Sequence, residues 1–219
     1  MMQFRNRIDG GQQLAKRLWQ YANRADVVIL ALPRGGVPVA WQVSQELNAP
    51  LDVFVVRKLG VPGHEELAMG AIASGGARVL NRDVIEGLQI PGHAIEAVTA
   101  RELVELQRRE RIFRQQRPAP QVQGKKVILV DDGIATGSTM KVAVEALRQL
   151  NAGAVVVAAP TAALATVRSM AAEVDDFIAV MTPADFSGVG QWYEDFAQTS
   201  DDEVRALLQQ AGTRSSYSP

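Results

Sequence analysis

The sequence predicts an α/β fold, a parallel five-stranded sheet flanked by helices, on three observations. Short apolar runs at 27–32, 51–56, 127–130, 154–159 and 177–180, several rich in valine and isoleucine, read as strands buried on both faces. Helical spans alternate with them, as crossovers between parallel strands require. Polar or glycine-rich loops follow three of the runs, at 33–36, 57–76 and 131–139. In a parallel sheet such loops share the edge formed by the C-terminal ends of the strands, where ligands bind.

Each element has its own warrant. Asp9 is placed to cap a helix whose apolar stripe is Leu14, Leu18 and Tyr21. The run 27–32 is broken by Pro33-Arg34-Gly35-Gly36, and a helix follows over 38–47. After the strand at 51–56, the glycine-rich span 60–76 reads as too polar and too small-residued to be core. The segment 91–117 carries a long charged helix, with Arg101/Glu105, Glu105/Arg109 and Glu110/Arg114 at i,i+4 and a narrow stripe of Leu103, Leu106 and Phe113. Its C-terminal half holds more arginines than glutamates. A strand at 127–130, a helix from Ser138 to Leu150, a strand at 154–159, a helix over 162–172 and a strand at 177–180 complete the alternation. Residues 183–199 are irregular and gather Phe186, Trp192, Tyr193 and Phe196. Ser200 and Glu203 form a capping box for a last short helix.

Bulk properties set limits. A chain of 219 residues supports one substantial core rather than two, and we expect a single domain over 1–211 with its sheet within about 27–180 and a disordered tail at 212–219. At 47% hydrophobic and 21% charged the composition is that of an ordinary globular protein. A net charge of −1 argues against a nucleic-acid surface. The absence of cysteine excludes disulfides, thiolate nucleophiles and cysteine-ligated zinc. No apolar run follows the N-terminal charges, and the uncharged stretch 150–167 is interrupted by Asn151, Gly153 and Pro160, so neither a signal peptide nor a membrane span is expected. We expect a cytoplasmic protein.

The chemistry concentrates at 127–139, Val-Ile-Leu-Val-Asp-Asp-Gly-Ile-Ala-Thr-Gly-Ser-Thr. An adjacent acidic pair at a strand end is ordinarily a cap, but the continuation adds more. Carboxylates suit the hydroxyls of a sugar, and a small-residue loop with free amides at a helix start suits a phosphate. No Gly-Lys-Ser/Thr closes the loop, so it is not a Walker loop. Together the two halves point to a sugar phosphate.

This segment resembles the phosphoribosyl-pyrophosphate (PRPP) signature of the type I phosphoribosyltransferases. The resemblance implies that Asp131 and Asp132 bind the ribose hydroxyls, and that Ala135, Thr136, Gly137, Ser138 and Thr139 cradle the 5-phosphate. It implies a pyrophosphate loop at Arg34, Gly35 and Gly36, in a family that often uses a cis non-proline peptide there, and catalytic cations at Arg57 and Lys58. Residues 60–66 become the start of a closing lid within the mobile span 60–76, and His64 is expected to be exposed there. Magnesium would accompany PRPP, with Asp131 and Asp132 engaging it mostly indirectly. The spans 57–62 and 66–71 also resemble a group of uncharacterised bacterial phosphoribosyltransferases.

The resemblance covers about 27–180 and does not name the acceptor. The hypoxanthine-guanine branch has an acid three places after the pair, where this chain has Ala135, so the loop looks more like the adenine and orotate types. A hood over the sheet edge is expected from 182–211 with an N-terminal contribution. Its Trp192 or Tyr193 would stack on a base, with Asp185 and Gln191 as candidate readers of exocyclic groups. The partners expected are PRPP, a nitrogenous acceptor and a second copy of the chain in a homodimer, with no nucleic acid and no membrane. The alternative reading is a non-catalytic PRPP-binding regulator.

Overall fold

The computed structural model describes residues 3–115 and 117–215. Five parallel strands form the main sheet in the order β2-β1-β6-β7-β8: β1 Val27–Ala31, β2 Leu51–Val53, β6 Lys126–Val130, β7 Ala154–Thr161 and β8 Asp176–Met181. Successive side chains alternate between faces. Val27, Ile29 and Ala31 enter one core layer; Val28 and Leu30 enter the other. Helices α1 (Arg7–Arg17), α2 (Gly36–Leu47), α4 (Gly92–Arg114) and α7 (Asp201–Ser215) cover the first face through Leu14, Val43, Leu106 and Leu208. Helices α5 (Ser138–Gln149) and α6 (Leu164–Met170) cover the second through Met140, Leu147 and Met170. A sheet so enclosed explains why its strands read as continuous apolar runs rather than alternating ones.

Chain order reverses between β1 and β6, because β2 lies on one side of β1 and β6 on the other. Such a switch point leaves a crevice beyond the carboxyl ends of the two strands. The loops at 33–36 and 131–139 flank it.

The span between β2 and the long helix departs from expectation. The second strand stops at Val53, and β3 (Val56–Val61), β4 (His64–Ala73) and β5 (Arg78–Leu80) form a separate antiparallel sheet, joined to a short helix α3 (Arg82–Gly87). Residues 60–76 are therefore largely a strand and not a coreless loop: Val61, Met69 and Ile72 are buried with Leu59 in the main core. Apolar residues in register across a β-hairpin supply the core that glycine content had hidden. The hairpin tip is exposed from Pro62 to Leu67.

Smaller corrections have local causes. Helix α1 is capped by Asn6, whose side chain accepts from the Asp9 amide, while Asp9 accepts from the Arg5 amide. In α4 the pairs Glu105–Arg109 and Glu110–Arg114 form, but Arg101 turns to its neighbour Glu102. Leu103 is exposed, and Ile95 and Val98 join Leu106 and Phe113 in the core instead. Ser200 caps α7 by accepting from the Glu203 amide at 3.1 Å. That helix continues to Ser215, so residues 212–215 are helical and not tail; 216–219 lie outside the described residues.

The segment ahead of α1 meets the irregular segment after β8. Phe4 pairs with Tyr193 as an isolated parallel bridge, its amide donating to Trp192 O and its carbonyl accepting from Glu194 N. Phe4, Trp192 and Tyr193 are buried together against Phe186, Val189 and Phe196, forming a small second core.

Candidate functional site

The site is built where β1 and β6 end. Asp131 and Asp132 leave β6 at the crevice, and Asp131 Oδ1 accepts the Asp132 amide at 2.8 Å. Asp131 is densely surrounded. Burial pushes its carboxyl well above the usual carboxylate range, and the neighbouring Asp132 charge pushes the same way. Asp132 has a partner that its sequence neighbourhood did not announce: Arg7, from the first turn of α1, donates through Nε to Asp132 Oδ2 at 2.8 Å. The same guanidinium donates to Ala197 O at 2.6 Å and lies 3.9 Å over the Phe196 ring. The Tyr193 hydroxyl donates to the Asp132 carbonyl at 2.5 Å. Its own titration is pushed far above the usual tyrosine range by burial and then by the Asp132 charge.

The loop after β1 lies directly against this pair. A Cβ on Gly35 would overlap the Asp132 carboxylate, and one on Gly36 would stand 2.8 Å from the Val130 carbonyl. Glycine is required at both places by the approach of one protein loop to another. The Pro33–Arg34 peptide is cis. Arg34 turns away from the acids, its guanidinium 3.5 Å from Asp201 at the start of α7.

Residues Gly133 to Met140 wrap an open cavity of about 160 Å³ that Asp131 and Val189 complete. Gly137 sits at φ 72°, a left-handed conformation, and a side chain there would meet the Thr166 methyl at 2.6 Å. Ile134 bridges to Ala162, and the Thr166 hydroxyl donates to the Ala135 carbonyl, so α6 braces the loop from behind. The first-turn amides of α5, which no helix carbonyl can satisfy, belong to residues lining this cavity. The Thr136 and Ser138 hydroxyls stand 3.2 Å apart beside them. This is a place for an anion with oxygen acceptors.

The remaining sequence candidates fall elsewhere. Arg57 and Lys58 lie on β3, and strand alternation sends them to opposite faces. Arg57 donates from Nε and Nη2 to Glu102 of α4 at 3.0 and 2.6 Å, and Lys58 Nζ donates to the Glu66 carbonyl at 2.9 Å. The expected pair of cations beside Arg34 is thus engaged with α4 and the hairpin, because β3 belongs to the second sheet. Trp192 and Tyr193 do not present faces to a base. Tyr193 lies between Phe4 and Phe196, at centroid distances of 5.4 and 5.1 Å, and Trp192 is buried against Phe186. They join Phe4 to the segment after β8. Gln191 donates to the Asp185 carbonyl at 3.4 Å, and His64 is exposed at the hairpin tip. Among the described residues no group of three or more His, Cys, Asp or Glu is arranged to hold a metal ion, and no helix is long and apolar enough to cross a membrane.

Comparison with known proteins places this geometry in context. Residues 3–187 match the family described as the phosphoribosyl transferase domain. Two Mycobacterium tuberculosis proteins, from strains CDC 1551 and H37Rv, are each 50% identical over 211 residues, which is 96% of this chain and 47% of theirs. The second carries the name "Putative phosphoribosyl transferase Rv0571c". The chain spans about half the length of these curated relatives. The crystal structure of TT1426 from Thermus thermophilus is similar at 38% identity and a TM-score of 0.83, covering 95% of this chain and 99% of that one.

Proposed function

The chain belongs to the phosphoribosyl transferase domain family, with a type I phosphoribosyltransferase fold, and from that premise we propose that it moves the 5-phosphoribosyl group of PRPP to a nitrogenous acceptor with release of pyrophosphate. One observation carries the reading: an acid pair and a phosphate-sized cradle share one turn at the switch point of the sheet, with the 33–36 loop packed against the acids. In this reading the amides and hydroxyls of Ala135 to Thr139 take the 5-phosphate. Asp131 and Asp132 accept from the ribose hydroxyls, and the backbone of 34–36 faces the pyrophosphate.

The acceptor nitrogen attacks C1 of the ribose as the C1–O bond to pyrophosphate breaks, through an oxocarbenium-like transition state. The protein's contribution is positioning, stabilisation of the leaving charge and exclusion of water. The exposed hairpin tip, 62–67, is the segment we assign as the closing lid. Two adjacent carboxylates do not make an all-protein metal cage, but they fit a hard cation that keeps its waters and arrives on substrate phosphates. Magnesium so carried would neutralise pyrophosphate oxygens. Ala135, in place of an acid, favours an acceptor other than hypoxanthine or guanine.

The deciding experiment incubates the chain with PRPP, magnesium and a panel of nucleobases and follows pyrophosphate release. Release dependent on one base is expected. Release without any base identifies a hydrolase, and tight PRPP binding without release identifies a sensor. Proton linkage supplies a second expected result. Asp131 is held above its ordinary pKa in the free protein, and hydroxyl donors favour its ionised form. PRPP binding should therefore release protons, and affinity should rise with pH until the raised Asp131 pKa is passed. Calorimetry in buffers of different ionisation enthalpy reads this directly; proton uptake, or no dependence, contradicts it.

A further inference from the structure

Asp132 is held at two places by residues far from its own turn. Arg7 Nε donates to Oδ2 of its carboxylate at 2.8 Å, and the Tyr193 hydroxyl donates to its backbone carbonyl at 2.5 Å. Both holders are themselves fixed. Arg7 stands in the first turn of α1, where Asn6 caps the Asp9 amide. Its guanidinium also donates to Ala197 O at 2.6 Å and lies 3.9 Å over the Phe196 ring. That ring stacks on Tyr193 at 5.1 Å, and Tyr193 packs on Phe4 at 5.4 Å. Gly10, three residues after Arg7, lets α1 reach the same place: a Cβ there would stand 3.2 Å from the Tyr193 hydroxyl. Arg7, Phe196 and Tyr193 thus form one bracket that closes on a single residue.

The two polar contacts exceed what packing needs. A phenylalanine at 193 would fill the same space with no hydroxyl to satisfy. A desolvated ion pair adds little net stability over an apolar pair of the same volume. What both contacts do fix is orientation. A guanidinium bonded to one carboxylate oxygen holds the side-chain torsion, and a hydroxyl on the carbonyl holds the peptide that carries the side chain. Oδ2 is engaged by Arg7, and a Cβ on Gly35 would overlap that same oxygen, which leaves Oδ1 for a ligand. We infer that Arg7 and Tyr193 are positioning residues that aim the Asp132 carboxylate at the ribose hydroxyls of the donor, a role that rests on the ribose assignment of Asp132 made above. Neither residue touches the donor; each acts through Asp132. A carboxylate accepts usefully only when it is held within about 0.5 Å of the productive geometry, which is the task of such a supporting layer.

Calorimetric titration of the full chain with ribose 5-phosphate, 2,3-dideoxyribose 5-phosphate and inorganic phosphate separates the sugar from the phosphate. The parent should bind ribose 5-phosphate more tightly than its dideoxy counterpart. Arg7→Gln should cut that preference by about tenfold, the worth of one misaligned charge-assisted hydrogen bond, and Tyr193→Phe should cut it by a smaller factor. Inorganic phosphate should bind both variants as it binds the parent, which also shows that their cradle is folded. Arg7→Lys keeps the cation and should recover part of the preference. Arg5→Gln alters a side chain that is 74% exposed and paired with Asp9, and should change none of it. A preference that survives either substitution, that falls equally with Arg5→Gln, or that falls only in step with phosphate affinity overturns the positioning role while the ribose assignment stands. A parent with no preference overturns the ribose assignment itself, and the positioning role with it.

Discussion

Replacing Asp131 and Asp132 by asparagine should abolish PRPP binding while the chain still folds. Each lost carboxylate removes a charge-assisted acceptor for a ribose hydroxyl, worth about 1.5–3 kcal/mol, so affinity should fall by roughly 10²- to 10⁴-fold. The single variants separate binding from stability. Asp131→Asn keeps an oxygen to accept the Asp132 amide, and it removes a carboxyl that burial and Asp132 hold above its ordinary pKa. A carboxyl raised in the folded state binds more protons there than in the unfolded chain, so it lowers stability progressively as pH rises above about 4, until its folded pKa is passed. Asp131→Asn should therefore melt higher than the parent at pH 8 by a wider margin than at pH 5, with PRPP binding lost at both. Asp132→Asn should melt lower, because Arg7 loses its anion. Calorimetry and thermal melts decide both halves; unchanged PRPP affinity in the double variant removes the site assignment.

The largest expected loss of stability lies elsewhere, at Arg114→Met. Arg114 is 5% exposed at the end of α4 and donates to Asp52 at 3.0 Å, to Glu110 at 2.6 Å and to the Val53 carbonyl at 2.7 Å. Asp52 is buried on β2, and burial already raises its pKa against the opposing pull of Arg114. Methionine fills much of the volume but leaves that carboxyl without its cation, which costs about 3–5 kcal/mol when one partner of a buried pair is removed. The cost depends on pH. Without Arg114 the Asp52 pKa rises further, so the penalty is largest at pH 8 and shrinks as Asp52 takes up its proton toward pH 5. Adding Asp52→Asn should recover part of the loss at pH 8. Urea unfolding of the two variants at both pH values measures this, and equal losses at pH 5 and 8 contradict the account.

The main sheet was legible because its central strands β1, β6 and β7 are enclosed on both faces and therefore write themselves as apolar runs. The turn at 131–139 was legible for a related reason: acids, glycine and hydroxyls are consecutive, so the cradle is local in sequence. What was hidden depends on distance along the chain. Arg7 reaches Asp132 across 125 positions, and Arg57 finds Glu102 across 45. Neither partnership leaves a spacing to detect. The second sheet was obscured by composition, since Gly60 and Gly70 sit inside paired strands where neighbouring backbone leaves no room for a Cβ. The aromatics at 192 and 193 could be located but not oriented, because a ring that stacks on a ligand and a ring that joins two distant segments have the same sequence signature.

The Arg7–Asp132 contact has a thermodynamic consequence. One carboxylate serves both Arg7, which also holds Ala197 and Phe196, and, in the proposed reaction, the sugar of the donor. The Arg7 contact and occupancy of the donor site then draw on one interaction, and reciprocity follows. Whatever factor a bound donor imposes on the strength of the Arg7–Asp132 pair, that pair imposes the same factor on the donor. A change in how the segment at 196–197 sits on Arg7 thereby changes the hold on a sugar that it never touches.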